Sequence, residues 1–232
     1  VSDRPTTLAF VNLVDGQATY NFFDENSAGK MLAPSDMPNL PKGISALFFG
    51  GISLACEPCA DAYATLLESA AEERVVMLDP NIRANFIENP IQYRDRLDRM
   101  MALSDIVKIS DEDLNWIFPD AETLTIKVRK LLNLGPKIVV LTRGSEGATA
   151  FTASGSEIFV PASIVDVVDT VGAGDTFNAG FLASLVDSDV LYKPAIAGTG
   201  DATISHALEF AVRVAAVAVS RAGADPPWVN EL

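Results

Sequence analysis

Short apolar runs alternate along this chain with longer segments whose apolar positions recur every three or four residues, the periods of strand and helix. The first such runs, residues 6–13 and 18–23, are rich in β-formers and flank Asp15-Gly16. That pattern predicts a hairpin. Residues 27–41 read as loop with a short helix. Beyond them, strands are expected at 44–49, 75–78, 106–109 and 138–141, and an antiparallel pair at 148–152 and 157–160 around Ser154-Gly155. Helices are expected at 58–72, 91–103, 111–117, 123–134, 175–185 and 203–222, with Gly223 as a C′ glycine after the last. Apolar strands separated by helices imply an α/β layered domain with a mainly parallel sheet. Ligands in such sheets bind beyond the carboxyl ends of the strands, so the loops there are where chemistry is sought.

Composition narrows the classes. The 232 residues are 49% hydrophobic and 21% charged, enough for a real core and wrong for disorder. No apolar run approaches the roughly 18 residues of a membrane span, and the most apolar stretch, residues 214–219, lies between Arg213 and Arg221 and reads as buried helix. The N-terminus has no basic start followed by an apolar core, so no secretory signal is read. Thirty-one acidic against 17 basic residues give a formal net charge of −14. A surface of that sign repels nucleic acid and anionic membranes, so neither is expected as a partner. An anionic ligand would need a local site of backbone amides, metal or a few cations. The two cysteines, Cys56 and Cys59, make no disulfide framework, which points to the cytoplasm. Their Cys-x-x-Cys spacing lacks a second pair of zinc ligands and reads as packing at a helix start.

The strongest chemical signal is Asp169-Thr170-Val171-Gly172-Ala173-Gly174-Asp175-Thr176-Phe177-Asn178-Ala179-Gly180. Gly172, Ala173 and Gly174 let a phosphate approach the backbone, and they lead into a helix whose first amides and dipole favour an anion. Asp175 then stands beside that anion. A carboxylate is repelled by phosphate, so it suits proton abstraction from an attacking hydroxyl better than ground-state binding. Alone, Gly-Asp-Thr is also a plain helix cap.

The whole run resembles the C-terminal signature of the ribokinase-like (PfkB) carbohydrate kinases. The resemblance implies a three-layer α/β/α fold with a small β lid. Residues 1–25 would be lid strands and 26–232 the kinase core with its nucleotide site. It implies Asp175 as catalytic base, Gly172 to Asp175 as the anion hole, and ATP, Mg²⁺ and a monovalent cation such as K⁺ as cofactors. Other segments match in the family's order. Thr142-Arg143-Gly144-Ser145-Glu146-Gly147 resembles the turn beside the nucleotide, making Thr142, Gly144 and Gly147 candidate ATP contacts. In Ser110-Asp111-Glu112-Asp113 the family's Asn and Glu are replaced by Ser110, expected toward the nucleotide, and Asp113, expected near the water shell of magnesium. Asp79-Pro80-Asn81-Ile82-Arg83 resembles the family's Asp-x-Asn-x-Arg. There Asn81 can bind sugar hydroxyls and Arg83 a sugar oxygen or the γ-phosphate. Together with Phe49-Gly50-Gly51 it looks most like fructokinases and 2-keto-3-deoxygluconate kinases. The last helix and Gly223-Ala224-Asp225 would border the adenine pocket. They would also border a cation region near Asp169, and His206, the single His, is a candidate adenine contact.

The resemblance covers nearly all 232 residues but starts partway into the family pattern. The family's preceding segment carries further strands and an acidic sugar-binding residue, so the sugar site read here is expected to be incomplete. The reading is an ATP-dependent kinase for a small sugar. A non-catalytic nucleotide- or sugar-binding protein of the same fold is the alternative. Exposed lid strands predict a homodimer.

Overall fold

The computed structural model describes residues 2–14 and 17–232. Two strands, β1 (Leu8–Val14) and β2 (Gln17–Phe23), form an antiparallel two-stranded sheet of their own. The Asp15-Gly16 turn expected between them lies outside the described residues. The expected short helix in 27–41 is a 3₁₀ turn, Pro34–Asp36.

The rest is one six-stranded sheet in sequence order: β3 (Ala46–Gly50), β4 (Val75–Asp79), β5 (Ile106–Ser110), β6 (Ile138–Thr142), β7 (Gly147–Thr152) and β8 (Glu157–Pro161). β3 to β6 run parallel, and β7 and β8 continue the sheet antiparallel. The helices are α1 (Cys59–Ala70), α2 (Pro90–Leu103), α3 (Asp111–Ile117), α4 (Leu124–Leu132), α5 (Ala173–Asp187), α6 (Lys193–Ile196) and α7 (Asp201–Val219).

Period-2 alternation on the central strands sorts the core into two clusters. Val76 and Leu78 of β4 and Val107 and Ile109 of β5 face one layer of helix residues, including Leu67, Leu97 and Leu131. Val75, Met77 and Ile106 face the other, built from Phe177 and Phe181 of α5 and Leu208 and Ala211 of α7. A sheet buried on both faces is why its strands read as unbroken apolar runs. This is the three-layer arrangement expected from the sequence.

Two expectations need correction. α7 ends at Val219 with Ser220 as its cap, so Gly223 is not its C′ glycine. Gly223 does have left-handed backbone (φ 75°), but in the following loop, where its N–H donates to Asp169. Second, α7 has 19 residues and a hydropathy of 1.4, long and apolar enough by length and composition to cross a membrane. Here its buried residues pack against α5 and the sheet, the place of a core helix.

Candidate active site

The parallel strands β3 to β6 end in Gly50, Asp79, Ser110 and Thr142, and the loops after them converge on the start of α5. Gly172 caps α5 in the left-handed region (φ 79°). A Cβ there would lie 3.0 Å from that of Ala224, so the turn has room for glycine only. The first helical bond runs from Thr176 N–H to the Gly172 carbonyl at 2.8 Å. The Ala173 N–H turns back to the Thr170 carbonyl at 3.3 Å. Among the described residues, the amides of Gly172, Gly174 and Asp175 donate to nothing. Unpaired amides at the positive end of a helix are an anion cradle. It is formed by Gly172, Gly174 and Asp175, with the Ala173 amide diverted. The Asp175 carboxylate is exposed on this first turn and accepts no bond from a described residue.

Asp169 braces the turn from behind. Its carboxylate accepts from Val171 N–H and Gly223 N–H, each at 2.9 Å. These bonds favour the charged form and hold its pKa below the usual carboxylate value.

Beside the cradle opens a cavity of about 500 Å³. Thr142, Gly144, Gly147 and Gly174 are among its lining residues, together with the apolar Val165, Ala215 and Val219. Gly147 (φ 119°) could not carry a Cβ, which would sit 2.2 Å from the Val160 carbonyl oxygen. Of the residues expected at a nucleotide, Thr142, Gly144 and Gly147 meet here. Ser110 does not line the cavity: its hydroxyl caps α3, accepting from Asp113 N–H at 3.0 Å. His206 is exposed on α7, also outside the lining.

The loop after β4 starts at Asp79, to which Asn178 of α5 donates. Asn81 holds a positive φ of 41°, and its N–H donates to Asp79 Oδ1 at 3.2 Å, an Asx-type turn. Arg83 folds over this loop, donating to the carbonyls of Asn81 and Ile82. Asp113 reaches the same loop from α3, accepting from Ile82 N–H at 3.2 Å. Burial lifts the Asp113 pKa to about 6, with the Asp79 charge adding to the rise against the Ile82 bond.

Asp79, Lys108 and Asn178 went unread as site residues. All three are buried where β4, β5 and α5 meet. Lys108 Nζ lies 3.0 Å and Asn178 Nδ2 2.8 Å from Asp79 Oδ2. Alternation supplied the signal: Asp79 follows Val75 and Met77, and Lys108 follows Ile106, on the face that meets α5.

No three metal-binding side chains gather among the described residues. Asp79 is engaged by Lys108 and Asn178, Asp169 by two backbone amides, and Asp113 by one. Cys59 Sγ donates to the Cys56 carbonyl at 3.0 Å, and burial pushes its thiol up to about 12 and raises that of Cys56. A raised thiol pKa disfavours the nucleophilic thiolate.

The family model for pfkB family carbohydrate kinases matches residues 1–231. A fructokinase of Rhizobium leguminosarum bv. trifolii is 47% identical over 206 residues, covering 89% of this chain and 63% of that protein. Probable fructokinase-3 of Arabidopsis thaliana is 30% identical over 232 residues, covering 98% and 65%. The chain thus spans less than two thirds of the length of these relatives. Among solved structures, Vibrio cholerae fructokinase with fructose, ADP and calcium ion bound superposes with a TM-score of 0.81 at 27% identity, covering 97% of this chain and 70% of that one. Aminoimidazole riboside kinase of Salmonella enterica, complexed with aminoimidazole riboside and an ATP analog, gives 0.75 at 27% identity, covering 88% and 65%.

Proposed function

The chain belongs to the pfkB family of carbohydrate kinases, and from that premise we propose that it transfers the γ-phosphoryl group of ATP to a hydroxyl of fructose or a related small sugar. The observation that carries this reading is the first turn of α5, where three undonated amides and an unengaged carboxylate share one cradle. ATP lies in the 500 Å³ cavity with its base among Val165, Ala215 and Val219 and its phosphates toward Gly174. The sugar lies on the Asn81-Arg83 side, and the β1–β2 hairpin acts as its lid. Magnesium accompanies the phosphates, and a potassium ion near the Asp169 loop would be held by backbone carbonyls.

In this mechanism Asp175 accepts the proton of the attacking hydroxyl. The sugar oxygen bonds to the γ-phosphorus as the bond from that phosphorus to the bridging oxygen of ADP breaks. The amides of Gly172, Gly174 and Asp175 stabilise the charge on the phosphoryl oxygens. The proton leaves Asp175 to solvent with the products. The proposed dimer joins hairpins, since Phe10 and Phe23 of the small sheet are 56% and 62% exposed. The direct test is sugar-dependent ADP release across fructose, 2-keto-3-deoxygluconate, ribose and adenosine. ATP binding without release on any of them would favour a binding protein of the same fold.

A further inference from the structure

Lys108 is 7% exposed, in a chain with acid to spare, and it sits at the carboxyl end of a core strand. An ammonium has three donors. One is spent on Asp79 Oδ2, and among the described residues the others have no partner. The same residue lines the nucleotide cavity, and a methyl group built on Gly174 would lie 3.4 Å from its Nζ. The ammonium therefore stands beside Gly174, at the start of α5. Asp79 is fixed in turn by Asn178, whose Oδ1 is buried with no hydrogen-bond partner. The amide group is thus oriented by its bond to Asp79 alone.

A lysine is costly to bury, and its pairing with Asp79 answers only part of that cost. Held in a site of low dielectric, it attracts an anion more strongly than it would in water. We infer that Lys108 is a phosphate-contacting residue whose ammonium donates to oxygens of the terminal phosphoryl group, giving the amide cradle a cationic half. Asp79 and Asn178 are its positioning residues. The inference rests on the kinase reading for the identity of the anion. Lys108 forms no covalent bond and keeps its protons. It neutralises the phosphoryl oxygens while the γ-phosphoryl group passes from ATP to the sugar oxygen.

The test is calorimetric binding of ATP and of adenosine to the full-length protein and its variants. Lys108→Met should weaken ATP binding at least about 10-fold while adenosine changes less than about 2-fold, because only ATP presents the charge. Sugar-dependent turnover should fall about 10²-fold or more, the scale of a lost anion-hole donor, and Lys108→Arg should restore part of it. Lys108→Met leaves Asp79 buried without its counter-ion and can unfold the chain. The double variant Asp79→Asn/Lys108→Met removes both charges and should fold, yet bind ATP as weakly as Lys108→Met. Asp79→Asn alone, which keeps the ammonium, should bind ATP several-fold tighter than the double variant. A double variant with parental ATP affinity would show that Lys108 merely neutralises Asp79. Equal losses for ATP and adenosine would overturn the inference in the same way. Failure of the parent to phosphorylate any sugar, with the ATP-specific loss intact, would sink the kinase reading and still support the contact.

Discussion

Asp113 carries its charge half-buried, close to Asp79 and against the loop that bears Asn81 and Arg83. Its pKa of about 6 in the folded protein stands above the ordinary 3.8. Between those values the folded state binds more protons than the unfolded one, so this group lowers stability as pH rises from about 4 to 6. Asp113→Asn keeps an acceptor for Ile82 and removes the charge. It should stabilise the protein at pH 8 by about 1–3 kcal/mol and by little at pH 4. Urea unfolding of both proteins across that range checks it, and a gain larger at pH 4 would refute the assignment. Asp175 is different in kind: it is exposed, accepts no bond from a described residue, and was singled out from the whole Asp169–Gly180 run and the family that run resembles. Lys108 was not. A single lysine inside Val-Lys-Ile-Ser reads as an interruption of a strand. What gives it meaning is Asp79, 29 residues away, opposite it once β4 and β5 pair.

At the scale of elements, the sequence located every strand and all helices but the short α6, because each strand is an apolar run bounded by turn residues. The errors lie where tertiary contacts override local pattern. α5 begins two residues before the expected 175, since Gly172 in the left-handed region is its true cap. α7 stops three residues before the expected 222, where the carbonyl of Val219 accepts from the amides of Val168 and Asp169, tying the segment before α5 to the helix. The packing of α5 on α7 depends on Gly180. A Cβ there would lie 2.4 Å from Val214 Cγ2 and 3.1 Å from Ala211 Cα. Gly180→Ala gains helix propensity of about 1 kcal/mol but overpacks this contact by about 1–3 kcal/mol. A net loss of stability in denaturant is expected, and a variant more stable than the parent would show that the helices can part cheaply. Gly147→Ala meets backbone at 2.2 Å, which cannot shift without breaking the β7–β8 pairing. It should cost more than Gly180→Ala in the same measurement.

For the whole molecule, the two faces of the sheet hold different duties. The face covered by α1 to α4 packs a hydrophobic core, while the face covered by α5 and α7 also carries Lys108 to the cavity, with Asp79 bonded to it. The small hairpin sheet is separate from the large one, and its Phe22 meets Phe86, in the turn after β4, edge to face at 5.0 Å. Its exposed Leu8, Phe10 and Phe23 are the basis of the proposed dimer. Phe10→Lys should then reduce the mass in solution to that of one chain, and an unchanged mass would place any dimer elsewhere. The composition had shown an acidic surface with no general attraction for phosphate. The proposed local answer is the amides at the start of α5 together with the buried Lys108.

The central claim is that Asp175 is the base of a sugar kinase. Sugar-dependent ADP release by the natural full-length protein and its Asp175→Asn variant, with ATP binding measured alongside, tests it most directly. The account predicts release with fructose or a close relative, lowered about 10²–10⁴-fold in the variant, with ATP affinity essentially unchanged. Equal release by the two proteins would contradict it.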